Sequence, residues 1–379
     1  MTLVLFAFVP SLLLGWLILH FRHRHESLTA DTQSGPQKIH SSLVPRIGGL
    51  MIYAGFLAGI AWAAARGQLG WAQGAAIMAC TLPAFAAGLY EDLTKHGGVL
   101  FRLFATFLAA GLAFWLLDAR LDRLDFPGVD EALRNVWLSC AFTMFAAAGV
   151  SQSVNIIDGL NGLAAFVGMI ILAAIAVVAW RLADPLVLGI CLAALGGLLG
   201  FFLWNFPRGM IFCGDGGAYF IGFVIAEVSV LLVHRHASVS AWFPLILAAY
   251  PVWETLFSIY RRKLVSGRAA MRPDALHFHS LVYRWVTRLH ALAGRQVAPW
   301  RRNAQSAAIC ALLPLFSAAV AVTFWDETWK LAVGALLFAI GYVVIYREMT
   351  RPANWRRLRR AGRARRPAAV EPSVSAVME

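Results

Sequence analysis

The sequence predicts an all-α integral membrane protein of about eleven transmembrane helices, with its amino terminus periplasmic and its carboxyl terminus cytoplasmic. Three observations lead there. Hydrophobic residues make up 60% of the 379 and charged residues only 14%, against about 25% charged in soluble domains. Apolar runs of about 17–25 residues, each long enough to cross a hydrocarbon core, centre near Leu12, Tyr53, Ala79, Ala109, Phe142, Ala173, Leu195, Val224, Leu247, Leu315 and Leu336. If these runs alternate in direction, 26 of the 33 Lys and Arg residues fall in one set of loops and 7 in the other. The positive-inside rule places the richer set in the cytoplasm.

The first run, Met1 to Leu19, lacks a basic start and is followed by His20, Arg22, His23 and Arg24 rather than by a small-residue cleavage site. It is therefore expected to be a retained helix. Cys80, Cys140, Cys191, Cys213 and Cys310 stand singly in or beside apolar runs, which argues against zinc sites and disulfide frameworks and for small packing residues. Residues 1–350 read as one polytopic domain whose longest inner loop, 261–305, is helix-compatible around Ser280 to His290 and broken by Pro273 and Pro299. Residues 351–379 form a basic tail that is expected to be disordered at its end, with Trp355 to Arg366 attracted to anionic lipid. The net charge of +13 comes mainly from the inner loops and the tail and calls for no nucleic acid. The chain lacks the paired interrupted helices that build many transporters.

Five polar islands interrupt the apolar chain: Pro45–Gly49, Glu91–Lys95, Asn155–Gly162, Gly214–Gly222 and Arg272–Ser280. All five belong to the cytoplasmic set, so a single site on that face is expected. Glu91 and Asp92 are adjacent carboxylates that repel unless a cation lies between them, and Lys95 is placed to share their face on a continuing helical turn. A solvated helix end is the plainer reading of such a pair taken alone. Asn155, Asp158, Gly159, Asn161 and Gly162 form a loop entering the sixth helix, suited to the hydrogen-bonding edges of a sugar or nucleobase or, more simply, to capping that helix. Gly214, Asp215, Gly216 and Gly217 open the eighth helix, where backbone amides favour a phosphate and Asp215 would need a divalent cation beside it. An Asp N-cap is the alternative. His277 and His279 have no Cys or further His close by, so contact with phosphate or carboxylate is expected rather than zinc, or else plain packing of the loop. Lys38, His40, Pro45, Arg46, Gly48 and Gly49 make a basic turn into the second helix. Glu227 and Glu254 fall within helices eight and nine, and buried membrane acids are functional candidates.

These elements, in order and spacing, resemble the polyprenyl-phosphate N-acetylhexosamine-1-phosphate transferases. The likeness runs from about Lys38 to Ser280. It rests on Lys38-x-His40 with Pro45-Arg46-x-Gly48-Gly49, the acidic pair before Lys95, Asn155-x-x-Asp158-Gly159-x-Asn161-Gly162, Gly214-Asp215-x-Gly217, Pro251-x-x-Glu254 and His277-x-His279. Lys38/His40 and the Arg272–Ser280 form look more like the bacterial GlcNAc-1-phosphate branch than the peptidoglycan branch. Four positions depart from the family pattern: Glu91 and Glu254 stand where Asp is usual, Gln152 where many relatives have Asn, and Ser280 where a further His is common. Glu91 would shift a metal or phosphate contact by about one bond, a displacement that matters in phosphoryl transfer.

The resemblance implies Mg²⁺-dependent transfer of a sugar 1-phosphate from a UDP-N-acetylhexosamine to undecaprenyl phosphate, with release of UMP, in the bacterial inner membrane. Mn²⁺ is an acceptable substitute, the lipid bilayer is a constant partner, and a homodimer is compatible. The product would initiate a surface polysaccharide such as O-antigen or capsule. On this reading Asp215 is the main metal ligand, Asn155 and Asp92 complete the metal set, and Glu91 and Asp92 bind the metal or activate the lipid phosphate. Lys38, His40, Arg46, Lys95, Gly217, Arg272, His277 and His279 hold substrate phosphates, and Asn155, Asp158 and Asn161 position the nucleotide-sugar. The alternatives are phospho-MurNAc-pentapeptide transfer and secondary transport with Glu227 and Glu254 as a proton relay.

Overall fold

A computed structural model of the chain describes residues 2–29, 44–265 and 276–351. Lys38, His40, Arg272 and the basic tail lie outside the described residues. Within them the regular structure is helical. The first part comprises α1 (Thr2–His20), α2 (Arg22–Thr29), α3 (Gly48–Ala65), α4 (Trp71–Thr94), α5 (Val99–Leu116) and a single-turn α6 (Val129–Leu133). The middle comprises α7 (Val136–Ile157), α8 (Leu163–Arg181), α9 (Pro185–Asn205) and α10 (Gly214–Arg235). The last part comprises α11 (Trp242–Leu247), α12 (Ala249–Tyr260), α13 (Phe278–Leu292), α14 (Pro299–Cys310), α15 (Leu312–Thr323) and α16 (Thr328–Thr350).

Among the described residues ten helical stretches are long and apolar enough to cross a membrane, with α14 and α15 counted as one. The chain is therefore an all-helical integral membrane protein. The expected eleventh span, around Leu247, is interrupted: its two pieces, α11 and α12, meet at Ala248 (φ −83°, ψ 7°) and together carry the chain from the end where α10 finishes back to Glu254 beside His277. Pro251 is the physical reason: it has no N–H to return to the Leu247 carbonyl and its ring crowds that oxygen. Neither piece alone is long enough to span.

The centre of the bundle is α10, in which every residue from Gly214 to Val233 is buried. An apolar helix without a polar face can only be satisfied by neighbours on all sides, and here α3, α4, α7 and α8 supply them. Small residues set how closely they approach. A Cβ on Gly88 of α4 would lie 2.5 Å from Gly216 N and 2.6 Å from Asp215 O, and a Cβ on Gly217 would lie 3.0 Å from Gly49 Cα. Backbone thus meets backbone where α3, α4 and α10 converge, as is usual between membrane helices. The five cysteines are all buried and free, as expected of packing residues.

The two ends of the bundle differ in chemistry. At the end where α10 finishes, Asp184 accepts from the Leu186 and Val187 amides at 3.1 Å and from Arg235 Nε at 2.7 Å. His234 there lies between Asp122 (2.9 Å) and Asp118 (3.2 Å). These groups tie loops to helix ends. The islands gather at the opposite end.

Candidate active site

The last turn of α4 carries Glu91 and Asp92 to the amino terminus of α10. Asp92, only 1% exposed, accepts from Asp215 N with Oδ1 and from Gly216 N with Oδ2, both at 2.9 Å. A carboxylate against free amides at the positive end of a helix dipole is a favourable pairing. It corrects the expectation that those amides face a phosphate: Asp92 occupies them. Gly217, expected to touch substrate, is instead buried in the contact with Gly49 and Cys213, where any side chain would push α3 from α10. Lys95 does not continue the helix either. It adopts the left-handed conformation (φ 60°) that ends α4, and its Nζ donates to the Asp92 carbonyl at 2.6 Å.

Asp215 points away from the amides and is held by two guanidinium groups. Arg102, from the first turn of α5, pairs directly with Oδ2, and Arg46 lies 3.5 Å from Oδ1. Arg102 also lies 3.9 Å from Glu91 Oε1 and stacks over the Tyr219 ring at 5.5 Å. Glu91 Oε2 is buried with no hydrogen-bond partner. Arg46 is brought in by a short pairing of the first island with the loop before α10: Phe212 N donates to Pro45 O at 2.9 Å, Gly48 N to Phe212 O at 2.9 Å and Gly49 N to Cys213 O at 2.8 Å.

The Asn155–Gly162 island begins inside the last turn of α7. Asp158 ends that helix, so it does not cap α8. Burial pushes its carboxyl up to about 7, with the Arg46 charge acting the other way, and it is close enough to Asp92 for their charges to interact. Asn161 is 2% exposed; its amide nitrogen donates to Pro207 O at 3.1 Å, and its backbone N–H donates to Asn303 Oδ1 at 2.7 Å. The Gly162 amide donates to Asn205 Oδ1. The glycine-rich turn is thus fastened by side chains of α9 and α14, and Asn161, expected to face the nucleotide, sits inside that fastening.

The histidine island closes the ring. Glu254 of α12 accepts from His277 Nδ1 at 2.8 Å, from the Phe278 amide at 3.2 Å and from the Tyr342 hydroxyl. His277 and His279 stack with ring centroids 5.5 Å apart. The His279 imidazole lies directly against Gly159, where an added Cβ would overlap Nε2. Glu254 therefore aims the histidines at the Asn155–Gly162 loop.

The described parts of all five islands converge at one end of the bundle. Asp92, Asp215, Glu91, Arg46 and Lys95 form one group, and Asp158, His277 and His279 a second beside it. Asn155, on the last turn of α7, is within side-chain hydrogen-bonding reach of Tyr219. Sequence reasoning counted Arg102 only as an inner-loop charge. An arginine in the first turn of an apolar helix, at the same end as the acids, was the available signal. Glu227 stands apart, deep in α10, with neither carboxyl oxygen hydrogen-bonded among the described residues.

Such a cluster of carboxylates, guanidinium groups and imidazoles at the end of a membrane bundle has the chemistry to hold phosphates and a cation. A profile described as glycosyl transferase family 4 matches residues 75–233, which hold three of the islands. A Bacillus subtilis protein named "Probable undecaprenyl-phosphate N-acetylglucosaminyl 1-phosphate transferase" is 29% identical over 280 residues, 73% of this chain and 76% of that one. A "Decaprenyl-phosphate N-acetylglucosaminephosphotransferase" of Mycobacterium leprae is 28% identical over 65% of this chain and 72% of its own length. A "Phospho-N-acetylmuramoyl-pentapeptide-transferase" of Enterococcus hirae is 34% identical, but over 47% of this chain and 54% of its own. These likenesses support placing the chain among the polyprenyl-phosphate N-acetylhexosamine-1-phosphate transferases.

Proposed function

We propose that this transferase moves an N-acetylhexosamine 1-phosphate from a UDP-sugar to undecaprenyl phosphate, releasing UMP, at the cytoplasmic face of a bacterial inner membrane. The product would begin a surface polysaccharide. The observation that carries the reading is the junction of α4, α5 and α10, where Glu91, Asp92 and Asp215 meet Arg46, Arg102 and Lys95. In the net reaction the β-phosphorus keeps its sugar, breaks its bond to the UMP oxygen and forms one to an oxygen of the lipid phosphate. Three anionic phosphates must come together, so catalysis rests on positioning and charge neutralisation. Arg46 and Lys95 are the cations placed for the phosphates, and His277 and His279 reach the same space from the other side. Asp158 and Asn155 face it from the α7 turn. Asn161 and Gly217 act by fixing the loop and the helix contact, and Glu254 by holding His277.

Mg²⁺ is proposed as cofactor. Among the described residues no three His, Cys, Asp or Glu side chains converge as a ready-made metal cage. Mg²⁺ does not require one, because it is usually held by one or two carboxylates together with substrate phosphates and water. The residues fit that mode: the donors are all oxygen, and Glu91 Oε2 is a buried carboxylate oxygen without a partner. Asp215 and Glu91 would hold the ion, which would supply neutralisation of the pyrophosphate charge. Arg102 balances Asp215 in the arrangement described.

The GlcNAc-type donor is preferred over the muramoyl-pentapeptide on the form of Lys38/His40 and of Arg272–Ser280, which resembles the GlcNAc-1-phosphate branch. Transport would need polar groups along a path through the bilayer, whereas Glu254 is tied into the end of the bundle and neither Glu227 carboxyl oxygen has a hydrogen-bond partner among the described residues. The test is UMP release from UDP-GlcNAc by membranes containing the protein, undecaprenyl phosphate and Mg²⁺. Asp215→Asn should abolish it at equal protein level, and wild-type activity in that variant would overturn the assignment.

A further inference from the structure

The hairpin between α13 and α14 carries a second concentration of positive charge, outside the group around Asp215. From Ala275 to Trp325 the sequence has no Asp or Glu, while it has five arginines and three histidines. A cavity of about 480 Å³ opens at the tip of the hairpin, lined by Thr287, His290, Arg295, Gln296 and Arg302 among others, with no carboxylate in its wall. Neither Arg295 nor Arg302 makes an ion pair among the described residues. Thr287 Oγ1 and Arg302 Nε are buried without hydrogen-bond partners. His290 Nε2 is fixed by Gln305 at 2.7 Å, which orients the ring. Gly294, in the left-handed region at φ 64°, turns the chain so that Arg295 comes back over the end of α13.

Uncompensated guanidinium groups beside an unpaired hydroxyl and a held imidazole are the complement of a phosphate group, which offers several acceptor oxygens and negative charge. We infer that the tip of the α13–α14 hairpin is a binding site for a phosphate-bearing anion, either a soluble polyphosphate or an anionic lipid headgroup. The site is tied to the active-site group at both ends. The α13 side begins at His277 and His279, and Arg302 is followed by Asn303, which holds the Asn161 amide. An occupant would steady both arms of the hairpin against the Asn155–Gly162 loop.

The experiment titrates inorganic pyrophosphate into the full-length protein in phosphatidylcholine nanodiscs, read by isothermal calorimetry. Two classes of site are expected in the wild type. Arg295→Gln should weaken one of them about tenfold, the loss of a charge-assisted contact, and leave the other unchanged; His279→Ala should show the reverse pattern. Arg295 is exposed, so this variant folds without repacking, and Thr287→Val should weaken the same class about threefold. Repeating the titration in phosphatidylglycerol nanodiscs separates the sources. A tenfold loss of apparent affinity assigns the site to a lipid headgroup, and no change assigns it to a soluble polyphosphate. Arg295→Gln with both classes at wild-type affinity, or a single class in the wild type, would overturn the proposal.

Discussion

The Asp92 clasp can be separated from catalysis because it makes a stability prediction of its own. Both of its oxygens accept backbone amides of α10 at 2.9 Å, and the side chain is buried. A hydrogen bond to a charged group is worth about 1.5–3 kcal/mol, so Asp92→Ala, which leaves two buried amides unpaired, should cost about 3–6 kcal/mol. Asp92→Asn keeps one acceptor oxygen and should cost about half as much. Reversible unfolding by dodecyl sulfate in mixed micelles, followed by the fluorescence of the 14 tryptophans, measures both. A loss below about 1 kcal/mol for Asp92→Ala would show that Asp92 does not hold α4 to α10 and would remove the structural basis for placing Asp92 beside Asp215.

Gly88→Ala puts a methyl 2.5–2.6 Å from the α10 backbone and should destabilise by about 1–3 kcal/mol with loss of transfer activity, whereas Gly98→Ala, with nothing within 4 Å, should change neither. Asp158 sets a pH dependence. Its folded pKa, about 7, is above its ordinary value of 3.8, so its contribution to stability is present below pH 3.8 and is lost as pH rises to about 7. Asp158→Asn should flatten that part of the unfolding profile, and an unchanged slope would contradict the burial of this carboxyl. Tyr342→Phe removes one of the hydrogen bonds to Glu254 and should lower kcat about threefold, while Glu254→Gln, which weakens the hold on His277, should lower it at least tenfold. Equal activity in Glu254→Gln would show that His277 needs no support.

The class of fold was legible because membrane spans are written in composition and length, and because Lys and Arg segregate by side. The convergence of the islands was legible too: an alternation that puts them at one end of the bundle is what α4, α7, α10 and α12 display. The break at Ala248 was signalled by Pro251, but apolar content alone joins α11 and α12 into one run. The uses of individual glycines and amides were not legible. A Gly-Asp-Gly-Gly helix start reads as an anion cradle, and only the packing of Gly88 and Gly49 against it shows that another element fills the place. Arg102 escaped because its role depends on a 113-residue separation from Asp215. Asn205 and Asn303, which hold the Asn155–Gly162 loop, lie on other helices and carry no local pattern.

Transfer of the phosphorus together with the sugar can be followed with UDP-GlcNAc labelled with ³²P at the β-phosphorus, incubated with purified protein, undecaprenyl phosphate and Mg²⁺. The label should enter the lipid fraction together with the sugar, in equal amount to the UMP released. Release of UDP with the label still on the nucleotide, or sugar entering lipid without the phosphorus, would contradict it.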